Sequence, residues 1–186
     1  AKCDGSTDDS TAMTAAVTAA VANGGGEIRF PTGVCIGTVS ITEGRGLRFT
    51  GVARYGTKIT GTGGNPAVQA NGLWYSTFEG IVFGVNATRA SGGVVEIDGN
   101  YDGSHSQGAQ GNTFKDCIFN ANNQAAYGLA VVRQGGGAAQ GSENLMLNCH
   151  FETATIAGFF SNGYNALQNT LIGGNFQGCK YGILVA

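Results

Sequence analysis

Apolar positions recur along this chain in short blocks, not in long helical stripes. The eight residues Asn112-Thr113-Phe114-Lys115-Asp116-Cys117-Ile118-Phe119 have close copies at 76–83, 144–151 and 169–176. Lined up, the third position reads Phe78, Phe114, Met146, Leu171, the sixth reads Ile81, Cys117, Cys149, Gly174, and the last is Phe in all four. The closing phenylalanines are spaced unevenly, at 36, 32 and 25 residues, so a fixed unit alternates with variable loops. After each copy comes a glycine with an apolar run: Gly93-Val94-Val95-Glu96-Ile97, Gly128-Leu129-Ala130-Val131-Val132, Gly158-Phe159-Phe160 and Gly182-Ile183-Leu184-Val185. Each repeat therefore predicts at least two short strands.

Helical repeats need apolar windows of roughly ten or more residues at a 3.6 period, whereas these blocks are short, β-branched, aromatic and bounded by Gly and Asn. A propeller needs a regular repeat of roughly 40 residues, and the last interval is too short. A coil of short parallel strands, with equivalent residues stacked about 4.8 Å apart, satisfies the spacing. The expected fold is all-β, a parallel β-helix. Positions three, six and eight should point inward, while position four (Glu79, Lys115, Leu147, Ile172) should not, with a bend between three and six. The first column, Ser76, Asn112, Asn144 and Asn169, predicts a side-chain amide ladder at a turn, where Asn tolerates a left-handed backbone.

One stretch breaks the strand pattern. From Thr11 to Ala22, Met13, Val17 and Val21 recur at a four-residue spacing among alanines, which predicts an amphipathic helix. Thr7 or Asp8 is its expected N-cap, and Asn23-Gly24 its end. Its expected task is to cover the exposed apolar end and unpaired edge of the first coil. The chain thus divides into residues 1–26, the leading segment with its capping helix, and residues 27–186, the coils.

Composition narrows the classes. The chain has 186 residues, enough for one sizeable core, with 33 glycines, only two prolines and a net charge of −2. Charged residues make up 12%, about half the usual share. No basic patch predicts nucleic acid as a partner, and no apolar run is long enough to predict a membrane span. Five cysteines without paired C-x-x-C spacing indicate neither zinc nor a dense disulfide framework. Cys117 and Cys149, in the inward sixth column, read as small buried hydrophobes, with a disulfide between them as the alternative.

The leading residues carry a resemblance. Ala1-Lys2-Cys3-Asp4-Gly5-Ser6-Thr7-Asp8-Asp9-Ser10, an Ala-rich helix, Gly24-Gly25-Gly26, a strand closing on Phe30-Pro31-Thr32-Gly33, then Gly46-Leu47-Arg48-Phe49-Thr50-Gly51 and Gly56-Thr57-Lys58-Ile59 stand in one order. That order resembles the N-terminal signature of the pectate-lyase-like right-handed β-helix proteins, a group that includes bacteriophage tailspikes and secreted polysaccharide-degrading enzymes. By motif the resemblance covers residues 1 to about 61, and beyond that only the repeat pattern. Cys3 stands where the group usually has Gly. The resemblance implies a right-handed coil and, since the chain begins inside the signature and stops in a strand, either a piece of a longer protein or an end covered by a partner.

Candidate chemistry lies on the loops. Polysaccharide hydrolysis needs two carboxyl groups roughly 5–10 Å apart, and lyase chemistry needs a base with a cation to neutralise the uronate. Aligning Gly93 with Gly128 places Asp98 beside Arg133, with Asp102 and His105 on the adjoining polar insertion. Asp98, Asp102 and His105 are the catalytic candidates. Arg133, Trp74, Tyr101 and Glu79 are the candidates for holding sugar. The structural alternatives are an Asp98–Arg133 surface pair, packing of Trp74 over the coil, and a salt-bridge ladder of Glu79 over Lys115 with Asp116 over Asn148 beside it. Asp4, Asp8 and Asp9 are explained by turn and cap chemistry. No metal site and no cofactor site is predicted.

The expected function, drawn from the resemblance, is a phage virion tailspike or tail appendage located on the virion or outside the cell. It would assemble as a side-by-side homotrimer beside other virion proteins, and bind or cleave a cell-surface polysaccharide. A secreted pectate-lyase-like glycanase is one alternative, and a purely structural virion fibre or capsid decoration protein is the other.

Overall fold

The computed structural model describes residues 1–101, 106–134, 141–162 and 167–186. Among them the strands form two sheets, of eleven and eight strands, and one helix, Ser10–Ala22. The repeat columns are met in register. Phe114 lies opposite Phe78 and Met146, and Phe119 lies opposite Phe83 and Phe151. Their rings stack inside the core, Phe49 on Phe78 at 4.4 Å, Phe78 on Phe114 at 4.9 Å, Phe119 on Phe151 at 4.9 Å and Phe151 on Phe176 at 4.9 Å between centroids. Offset and stacked rings add to the roughly 1.5–3 kcal/mol that burial of each such side chain contributes.

The right-handed parallel β-helix expected from the repeat is corrected by how the strands are joined. Two repeats break at the bend, into Thr77–Glu79 with Val82–Val85 and into Thr113–Lys115 with Ile118–Asn120. The next strand, Leu145–Glu152, runs through that bend unbroken, pairing first with Thr113–Lys115 and then with Ile118–Asn120. It fuses the strands before and after the bend into one eleven-stranded sheet. The glycine-led blocks make the second sheet, which includes Val68–Trp74, Arg89–Tyr101, Ala125–Gln134, Ala157–Ser161 and Tyr181–Val185. The architecture is thus two large, mostly parallel sheets stacked as layers, not a solenoid. Gly128 makes the close approach possible: a Cβ there would lie 2.7 Å from the Gly158 carbonyl oxygen and 3.1 Å from Phe119 Cβ and from Phe151 Cδ1.

The bend has a left-handed backbone at Gly80, Asp116, Asn148 and Gly173, with φ of 67°, 53°, 53° and 59°. The amide ladder is present, with one change. The left-handed residues are those just before it, Tyr75, Gly111, Glu143 and Gln168, so the asparagines act through their side chains and not through their own φ. Asn112 and Asn144 are fully buried. The backbone N–H of Ser76 donates to Asn112 Oδ1, that of Asn112 to Asn144 Oδ1, and that of Asn144 to Asn169 Oδ1, each at 3.1 Å. Asn144 Nδ2 also donates to the Ala109 carbonyl at 2.9 Å.

The helix buries Met13 and Val17 as its stripe predicted, but begins at Ser10 with Asp9 as N-cap. The expected cap at Thr7 or Asp8 is corrected because the nearby carboxylates are engaged in turns. Asp9 accepts from the N–H groups of Lys2 and Cys3, at 2.6 and 3.0 Å, and Asp8 accepts from Ser10 N–H at 2.9 Å. Cys3 and Cys35 form a disulfide, a pairing that the cysteine spacing did not indicate. Cys117 and Cys149 are free and fully buried, and burial pushes the Cys117 thiol up in pKa.

If the ladder sets the register, replacing Asn144 by leucine of similar volume strands several buried polar groups and should cost about 2–4 kcal/mol. Urea unfolding checks this, and a loss below about 0.5 kcal/mol would contradict it.

Candidate functional site

Position four of the repeat points outward and carries charge across neighbouring strands. Glu79 lies opposite Lys115 and Thr50, and its carboxylate accepts from Lys115 Nζ at 2.7 Å and from Arg48 Nη2 at 3.0 Å. Hydrogen bonds from Lys115 and Arg48 hold the Glu79 carboxyl below its usual pKa, and the bond to Glu79 in turn raises that of Lys115. The ladder of Glu79 over Lys115 is therefore present, as is Asp116 over Asn148, where Nδ2 donates to Asp116 Oδ1 at 2.6 Å. Segment 51–56 leaves the sheet and returns across its face, with Arg54 Nη2 donating to the Asn148 carbonyl at 3.1 Å. Between this segment and the ladder lies a cleft of about 580 Å³, lined by Glu27, Arg29, Arg48, Thr50, Arg54, Glu79 and Asp116 among others.

A second cluster sits on the outer face of the other sheet. Glu96 and Asp98, two apart on one strand, point away from the core filled by Val95 and Ile97, with their Cα atoms roughly 6.6 Å apart by strand geometry. A register irregularity between Arg89 and Gly93 lets the chain double back, so Arg89 Nη2 donates to Glu96 Oε1 at 2.7 Å, Nε donates to the Gly93 carbonyl at 2.9 Å, and Nη1 donates to the Gly64 carbonyl. Asp98 is buried, and its Oδ2 accepts from Gln69 Nε2 at 2.7 Å. Burial and then the Glu96 charge push its carboxyl up to about 7, against the opposing pull of Gln69 and Arg89. One carboxyl of the pair is thus poised to keep its proton near neutrality while the other is held in an ion pair, an asymmetry that acid–base chemistry requires.

The predicted strand alignment, which set Asp98 beside Arg133, is corrected in backbone register. Gly93 lies opposite Tyr127, not Gly128, so Asp98 lies opposite Val132 and Arg133 opposite Gly99. Asp102 and His105 lie outside the described residues. Tyr101 and Arg133 are described by backbone alone, Tyr101 opposite Ser106 in a short antiparallel pair. Trp74 is half-buried at a corner, with the Arg45 guanidinium carbon 5.9 Å from its ring centre and 5.7 Å from that of exposed Tyr75.

Sequence reasoning missed Arg48, Arg89, Glu96 and Gln69. Arg48 belongs to an earlier copy of the repeat, in which Phe49 stacks on Phe78 and Ile59 lies opposite Phe83, but segment 51–56 splits that copy and hides it. Glu96 was findable, since two acids at an i, i+2 spacing on a strand share a face.

No protein-family model and no curated protein matches the sequence. Among solved structures the chain is similar to "Geobacillus virus E2 - ORF18", with 21% identity over 96% of this chain and a TM-score of 0.52. The chain spans 40% of the length of that viral protein, and the likeness is one of fold alone. A provisionally assigned glycosyl hydrolase from Parabacteroides merdae aligns over 97% of this chain and 91% of its own, at 16% identity and a TM-score of 0.27, too slight a likeness to argue from. The tailspike form loses its support with the solenoid. Among the described residues no helix is long and apolar enough to cross a membrane.

The Asp98 carboxyl gives a pH signature. Its pKa rises from 3.8 to about 7 on folding, so the folded chain binds the extra proton. Its contribution to stability is present below pH 3.8 and is lost as pH rises to about 7. Asp98→Asn should flatten that part of the stability–pH curve and raise the melting temperature at pH 8. An unchanged slope between pH 4 and 7 would contradict the assignment.

Proposed function

We propose that this is an extracellular or virion-associated protein that binds a polysaccharide, and that the cleft lined by Arg48 and Glu79, beside Lys115, holds the sugar chain. The observation that carries this reading is the charged row itself. Arg48 and Glu79 line the groove from neighbouring strands, Lys115 pairs with Glu79 from the next strand, and the row offers both donors and acceptors to hydroxyl and carboxylate groups. The Cys3–Cys35 disulfide fits an oxidising setting outside the cytosol, and the fold likeness to a viral protein is consistent with a virion setting.

Cleavage of a polysaccharide at a separate place, on the second sheet, is a second reading, favoured by the Glu96–Asp98 pair. In it Asp98 is the proton donor to the glycosidic oxygen, and Glu96 is the carboxylate that activates water or attacks the sugar.

Binding is tested by electrophoresis through gels that contain purified capsular polysaccharides or lipopolysaccharide O-chains. Wild-type protein should be retarded by at least one of them. Arg48→Ala and Glu79→Ala should each weaken that retardation severalfold with little change in stability, because exposed ion pairs contribute about 1 kcal/mol or less. Failure of every polysaccharide to retard the wild type contradicts the reading. For cleavage, release of reducing ends by the wild type and its loss in Asp98→Asn is the expected result, and equal release by both excludes Asp98 as the acid.

A further inference from the structure

The corner before the charged row contains a conformational anomaly. Gly46, Tyr75, Gly111 and Glu143 occupy equivalent places on neighbouring strands, linked by the backbone bonds Gly46 N–H to Trp74 O, Tyr75 N–H to Gln110 O and Gly111 N–H to Ser142 O. All four have a left-handed backbone, with φ of 62°, 49°, 66° and 60°. Glycine adopts this conformation without cost, and two of the four are glycine. A bulky aromatic there is strained, and strain of this kind clusters at binding sites.

The surroundings show what the ring gains. Tyr75 is 52% exposed, and its ring lies over Gly111, where a Cβ would come within 2.5 Å of Tyr75 Cδ1. Trp74 meets it edge to face at 6.4 Å, and exposed Arg45 spans both rings. On the next strands Gln110 Nε2 donates to Glu143 Oε2 at 2.8 Å, which puts an amide and a carboxylate at the edge of the aromatic surface. An exposed ring with a guanidinium, an amide and a carboxylate around it has the parts needed to hold a pyranose: a flat apolar surface for its C–H face, and donors and acceptors for its hydroxyls. Packing alone does not account for this corner, since the ring covers a glycine and leaves half its own surface in water.

We propose that Arg45, Trp74 and Tyr75 form a sugar-stacking platform that takes a pyranose unit of the polymer bound in the cleft. This rests on the polysaccharide reading above. Tyr75 precedes Glu79 by four residues and Arg45 precedes Arg48 by three, with the left-handed corner at Tyr75 and Gly46 between them, so the platform stands across that corner from the charged row. The bound chain therefore crosses the corner, from the aromatic platform to the charged row.

Trp74 is the only tryptophan of the chain, so its emission reports on the platform and not on the cleft. The probe is the polysaccharide that retards the wild type in the gel assay, added during fluorescence titration. Saturable change in emission is expected, with Tyr75→Gly weakening binding at least fivefold and Arg45→Ala at least threefold. Tyr75→Gly matches its neighbours Gly46 and Gly111 and should leave the melting temperature equal or higher, which separates loss of binding from loss of fold. Unchanged emission, or wild-type affinity in both variants while Arg48→Ala still weakens binding, overturns the platform and leaves the cleft standing. Failure of every polysaccharide to bind the wild type overturns both.

Discussion

A ladder of three asparagines, two of them fully buried, holds this molecule in register. Each of Asn112, Asn144 and Asn169 accepts the backbone N–H of the residue one strand earlier, and Asn112 and Asn144 also donate to a carbonyl or amide beside them. A slip by one residue would leave these groups buried without partners, at a cost of about 1–3 kcal/mol for each. Apolar packing is less exacting, because a column of phenylalanines tolerates small displacements. The amides therefore decide which residues face each other, and the rings contribute most of the stabilisation once that is decided.

The surface inherits this register. Arg48, Glu79 and Lys115 meet only because their strands are aligned to the residue, and the same alignment sets Tyr75 over Gly111 and Arg45 beside Trp74. Where the alignment departs from regularity, at the irregular pairing between Arg89 and Gly93, the chain makes a different kind of site. There Arg89 turns back to grip Glu96, and Asp98 is left in a buried setting that favours its protonated form.

The repeat made much of this readable in advance. Phe78, Phe114 and Phe119 announced the inward columns, Asn112 and Asn144 announced the ladder, and Glu79 with Lys115 announced the charged row. Three features were not legible. The layered joining of strands depends on Leu145–Glu152 continuing unbroken through the bend, and its residues differ little from those of copies that break there. The strand register at Asp98 depends on an irregular stretch between Arg89 and Gly93, which no periodicity reveals. The strain at Tyr75 is a backbone property, visible only once Gly46 and Gly111 are known to be its neighbours.

The measurement that tests this account most directly is a crystal structure of the protein with the shortest oligosaccharide of a polymer it retains. The account predicts sugar units crossing the corner, with one ring face on Tyr75 and the chain continuing to Arg48, Glu79 and Lys115. Sugar bound on any other face, with the aromatic corner and the charged row both empty, would contradict it.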